Sequence, residues 1–112
     1  MILTDRQTLD EYVEATLSES GIPCVRGQWG STPPSEWAVY VSTPAQTHHD
    51  NDTLTYGKRY TATLYQDDFS EQVADRFEEA VSTFGSYSRE DEWSNAHDCV
   101  ACTFNFTVVK HD

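Results

Sequence analysis

Positive charge is what this sequence has least of. Seven Lys and Arg stand against 19 Asp and Glu, for a net charge of −12. Nucleic-acid backbones are bound by cations that displace counterions. So few cations, scattered along the chain, exclude a general DNA or RNA footprint. They disfavour anionic membrane surfaces for the same reason. Long apolar runs are also missing, so no transmembrane helix is expected. The start Met1-Ile-Leu-Thr-Asp-Arg6 has no basic region followed by an apolar one, so no signal peptide is expected either. Cysteine is sparse, and the odd count of 3 argues against a disulfide framework. Cys99 and Cys102 form C-V-A-C, but zinc needs two further ligands. Their odd offset also sends them to opposite faces of a strand. They read as ordinary small side chains, with Cys102 in the core. With 5 Gly and 4 Pro among 112 residues, there is no low-complexity stretch and no linker. The expectation is one domain, 1–112.

What is present is aromatic and periodic. The chain carries 3 Trp, 6 Tyr and 5 Phe, enough large side chains to build a core. Residues 4–20 predict a helix. Thr4 and Gln7 make a capping box, and Leu9, Tyr12, Val13 and Leu17 share a face. Gly21 and Pro23 end it. Residues 24–29 predict a short edge strand, and 37–43 a β-branched and aromatic strand ended by Pro44. Residues 45–57 carry little that packs, which predicts a long mobile loop. In 58–66, Tyr60, Ala62 and Leu64 alternate with Thr61, Thr63 and Tyr65, a second strand pairing antiparallel with the first. Asp67-Asp68 signal the N-terminus of a helix over 71–84, with Val73, Phe77, Val81 and Phe84 inward and Gly85 as its stop. Residues 86–94 predict a strand leading to a polar turn. In 99–109, Val100, Cys102, Phe104, Phe106 and Val108 alternate with smaller and polar residues. The order α-(β)-β-β-α-β-β predicts an α+β fold, an antiparallel sheet of about four or five strands with two helices packed on one face.

No catalytic signature emerges, and the chain is expected not to be an enzyme and to need no cofactor. Phosphate-binding loops, dinucleotide fingerprints and nucleophile elbows are absent from the sequence. His48, His49, Asp50 and Asp52 are the best metal candidates. Adjacent histidines on an extended loop rarely converge on one ion, so a solvated loop is the expectation and no metal site is assigned. Glu90-Asp91-Glu92 reads as a solvated acidic turn rather than a pair of catalytic carboxylates. The surplus of Trp29, Trp37, Trp93, Tyr40, Tyr56, Tyr65 and Tyr87 points to interfaces, with Tyr40 and Tyr65 opposite their strands' other apolar residues. At the return of the long loop, Tyr56, Lys58 and Arg59 are candidate interface residues, complementary to Glu90, Asp91 and Glu92 of a neighbouring copy.

Several stretches carry a resemblance. Leu3-Thr-Asp-Arg-Gln-Thr-Leu-Asp-Glu-Tyr12, Trp37-Ala-Val-Tyr-Val-Ser42, Tyr60-Thr-Ala-Thr-Leu-Tyr-Gln66 and Tyr87-Ser-Arg-Glu-Asp-Glu-Trp-Ser94 with Cys99-Val-Ala-Cys-Thr-Phe-Asn-Phe106 follow one another as helix, strands and closing hairpin. In this order the chain resembles the tail-terminator (tail-completion) proteins of long-tailed phages, and related small prophage minor tail and head–tail connector proteins. The resemblance implies a subunit of a ring, a hexamer in that family, that caps the tail tube and joins it to the head. Its implied partners are further copies of itself, tail-tube protein and head-completion protein, and its implied locations are the virion and the bacterial host cytoplasm. An acidic lumen would let DNA pass without sticking. The alternative reading is an acidic inhibitor or immunity-type protein that masks a basic partner such as a nuclease, motivated by the charge alone.

Overall fold

A computed structural model describes residues 6–30, 33–44 and 55–111. The chain runs α1 (Arg6–Ser18), β1 (Cys24–Arg26), β2 (Glu36–Pro44), β3 (Thr55–Gln66), α2 (Glu71–Ser82), β4 (Tyr87–Ser94) and β5 (Cys99–His111). The five strands form one sheet in the order β1-β2-β3-β5-β4. Every pairing is antiparallel except β1 with β2, which is parallel. The fold is α+β, with both helices packed against the sheet. No described helix is long and apolar enough to cross a membrane.

The core follows the alternation of the strands. Ala38 and Tyr40 of β2, Tyr60, Ala62 and Leu64 of β3, and Cys102, Phe104, Phe106 and Val108 of β5 lie under the helices. The register puts Ala38 beside Leu64 beside Cys102, and Tyr60 beside Phe106. Helix α1 contributes Leu9, Val13 and Leu17, and α2 contributes Ala74, Phe77 and Val81. Ring contacts knit this layer, with Phe77 against Phe104 at 5.5 Å and Phe84 stacked on Phe106 at 5.0 Å. A fully buried side chain of this kind gains about 1.5–3 kcal/mol over an exposed one.

Several boundaries differ from the expectation. The second strand begins at Thr55, so residues 55–57 belong to β3 rather than to the loop. They pair with Val109–His111 and lengthen the β3–β5 ribbon, giving the described body extents of 50 × 24 × 23 Å. The rest of that expected loop, with His48, His49, Asp50 and Asp52, lies outside the described residues, as does the Thr4 capping box. The N-cap of α2 is Ser70, whose hydroxyl accepts from the Val73 amide at 3.4 Å. Gln66 reaches over from β3 and accepts from the Ser70 amide at 2.9 Å, a task the sequence assigned to Asp67-Asp68. Gly21 and Gly85 adopt the positive φ of 85° and 109° expected beyond a helix end.

Parity in β2 is also the reverse of the expectation. Tyr40 faces the helices with Ala38, while Trp37, Val39 and Val41 face the other way. The physical reason is a polar partner: the Tyr40 hydroxyl donates to Glu14 Oε1 of α1 at 3.0 Å.

Candidate functional site

Two charged clusters lie on the helix side of the sheet. In the first, Asp10 on α1 sits beside the Leu9-Val13-Leu17 stripe and is buried, with 6% of its surface exposed. Lys58 Nζ and the Tyr60 hydroxyl both donate to its Oδ1, at 2.7 and 2.5 Å, and Arg26 approaches its Oδ2 at 3.5 Å. Burial pushes the Asp10 carboxyl up. The hydrogen bonds from Lys58 and Tyr60 and the nearby Lys58 and Arg26 charges outweigh it and hold the group below its usual range. Both oxygens are engaged and enclosed, so this cluster works as a clasp between α1, β1 and β3.

In the second cluster, Arg89 of β4 lies over the Phe104 ring, 5.8 Å from its centroid. It donates to Glu78 Oε1 at 2.6 Å and to both oxygens of Asp91 at 2.9 Å, with Glu71 and Asp75 within 4 Å. Hydrogen bonds from Tyr87 and Arg89 lower the Glu78 carboxyl, and Arg89 lowers Asp91. The guanidinium ties α2 to the outer strand.

The three thiols are buried and unbridged. Cys102 joins the core and Cys99 faces the other side, as their odd spacing requires. Burial pushes the Cys24 thiol up to about 12, and burial with Asp91 does the same to Cys102. Neither thiol is set up as a thiolate nucleophile. Among the described residues, no three His, Cys, Asp or Glu converge to hold a metal ion.

Among the described residues, the opposite face of the sheet carries no helix. Its centre is a polar ladder in which Thr61 donates to Asn105 at 2.8 Å and Thr63 meets Thr103 at 3.4 Å. Toward one end the sheet forms a shallow trough of about 570 Å³ walled by Val41, Thr43, Arg59 and Thr107. At the other end Trp37 stacks on Tyr65 at 5.0 Å, and His97 packs 4.6 Å from Tyr65. The segment after β1 folds over these rings. Gly27 turns there at φ 83° and donates to the Tyr40 carbonyl at 2.8 Å. Trp29 and Pro33 then close a cleft of about 360 Å³ over Trp37, Tyr65 and His97.

No protein-family model and no curated protein matches this chain.

The candidate interface residues separate onto different surfaces. Lys58 points to the helix side and is 5% exposed, its charge spent on Asp10. Arg59, one residue on, is exposed on the helix-free face, and among the described residues it makes no ion pair. Tyr56 stands opposite Lys110 in the β3–β5 ribbon, and its side chain lies outside the described residues. Glu90 and Glu92 are exposed on the helix-free side of β4, while Asp91 turns back to Arg89. Arg59 pairs with Thr107 and Glu90 with Thr103. The two rows are therefore four positions apart along β5, roughly 13 Å at strand rise. Of the surplus aromatics, Trp37 and Tyr40 are buried, Trp29 and Tyr65 half-buried, and Trp93 is 57% exposed.

Sequence reasoning missed the Asp10 and Arg89 clusters, although strand parity carried the signal. Lys58 shares its parity with Tyr60, Ala62 and Leu64, and Arg89 shares its parity with Tyr87 and Trp93.

Proposed function

We propose that this chain is a non-enzymatic structural subunit of a long-tailed phage or prophage, of the tail-terminator type, which assembles into a ring that caps the tail tube and joins it to the head. The observation that carries the reading is the one-sided architecture. Two helices cover one face of the sheet and, among the described residues, none covers the other, in the element order of the family that the sequence resembles. Free edges add support. The pairing of β1 with β2 stops at Tyr40 and that of β4 with β5 stops at Phe106. Beyond those points β2 and β5 carry no strand partner other than β3 among the described residues. Head-to-tail contacts between unlike surfaces generate rings when the rotation closes. Arg59 at one end of the helix-free face and Glu90 and Glu92 at its outer strand are unlike surfaces of this kind, too far apart to pair within one protomer.

Light scattering coupled to size exclusion, across a concentration series and two salt levels, tests the reading. The expected result is growth toward a closed particle of fixed stoichiometry, lost in Arg59→Glu. A strict monomer that also leaves tail-tube polymerisation unchanged overturns it. A salt-sensitive one-to-one complex with a basic protein would instead favour an acidic inhibitor, a reading supported by the exposed carboxylates of α2 and β4.

A further inference from the structure

Trp29, Pro33, Trp37, Tyr65 and His97 line a cleft at one end of the sheet. Trp37, 3% exposed, and Tyr65 form its floor, His97 stands at its rim, and Trp29 and Pro33 form its roof. Its volume of about 360 Å³ holds a side chain or a small ligand but no folded segment. Among the described residues, no Lys, Arg, Asp or Glu lines it. Two carboxylates lie close to it in the chain: Asp67 follows Tyr65 by two residues, and Asp98 follows His97. Their field reaches this end of the sheet. The Cys99 thiol, buried next to this end of the sheet, is raised by burial, lowered by a hydrogen bond from the Gln66 backbone, and raised further by the charges of Asp67 and Asp98. Aromatic faces in negative surroundings attract cations, and a guanidinium also stacks on them as a plane.

We propose that this cleft is a binding site for a cationic side chain, an arginine presented by a partner polypeptide, held between Trp29 and the Trp37–Tyr65 floor. Charge complementarity selects this occupant: a chain of net charge −12, with Asp67 and Asp98 next to the cleft in sequence, offers an aromatic slot that no Lys or Arg lines among the described residues. The site is separate from the Arg59 trough, so it stands whether or not rings form.

The test is a fluorescence titration of the full chain in a Trp93→Phe background, where Trp29 and Trp37 are the remaining indoles. The probes are N-acetyl-arginine amide, the neutral N-acetyl-norleucine amide and tetramethylammonium. The expected result is saturable binding of the arginine amide, about fivefold tighter than the norleucine amide. Trp29→Ala, a change in a surface segment, is expected to weaken it about fivefold, and His97→Ala to weaken it less. Amide chemical shifts confirm that both variants stay folded and report the binding independently of indole emission. Equal binding of the neutral probe, or no saturable change, overturns the proposal. Tighter binding of tetramethylammonium than of the arginine amide overturns the assignment to a side chain of a partner polypeptide.

Discussion

Tyr60, Ala62 and Leu64 lie beneath the helices, while Arg59, Thr61, Thr63 and Tyr65, their neighbours in β3, face away from them. One strand thus serves two surfaces with different physics. The helix side is closed by apolar packing and by two charge clusters whose members complete one another. On the other side, a Thr-Asn ladder stays half-exposed between an aromatic cleft and a trough that holds Arg59, which makes no ion pair among the described residues. The lesson is that burial on one side secures the fold, which leaves residues of opposite parity available for contacts with other molecules.

Substitutions that respect this division are expected to separate folding from association. The largest effect is expected from Phe104→Ala at the centre of the helix side, a loss of about 4 kcal/mol in urea unfolding. Asp10→Asn comes next, at about 3 kcal/mol, because it strands the Lys58 ammonium in a buried site. The same carboxyl links stability to pH. Its folded value lies below the usual 3.8, so its contribution is complete above that value and fades as pH falls through the lower folded one. Unfolding midpoints measured from pH 6 downward, on the order of every half unit, are expected to fall less steeply in Asp10→Asn than in the wild type. Arg89→Met is expected to cost about 1 kcal/mol, a figure reduced because Asp91 and Glu71 are exposed to solvent. Smallest in stability is Val41→Ala on the helix-free side, within about 0.5 kcal/mol. That variant is expected to assemble more weakly in light scattering while unfolding almost as the wild type does. A helix-side change that altered association at constant stability would break the comparison.

The order of elements and most of the core were legible because apolar residues recur at helix and strand periods. Phe77 and Val81 on α2, and Phe104 and Phe106 on β5, needed no tertiary information. The parallel pairing of β1 was not legible, since three residues carry no signal of strand direction. Tyr40 was assigned to the wrong face because Trp37, Val39 and Val41 outweigh Ala38 and Tyr40 in apolar area. Only the presence of Glu14 across the layer resolves that choice. The candidate site was legible in part. Charge singled out Arg59 and the acidic residues of β4 as candidates, but it also grouped Lys58 with Arg59 although strand parity separates them. The aromatic cleft joins three segments distant in sequence, and no local pattern announces it.

The helix-free face is proposed as the surface through which copies of this chain meet. Hydroxyl-radical footprinting across a concentration series tests it most directly. Val41 and Val109 are exposed on that face, and Tyr12 and Phe69 are exposed away from it. The account predicts that labelling of Val41 and Val109 falls as concentration rises while Tyr12 and Phe69 stay unchanged. Protection of Tyr12 and Phe69 instead, or unchanged labelling at every concentration, would contradict it.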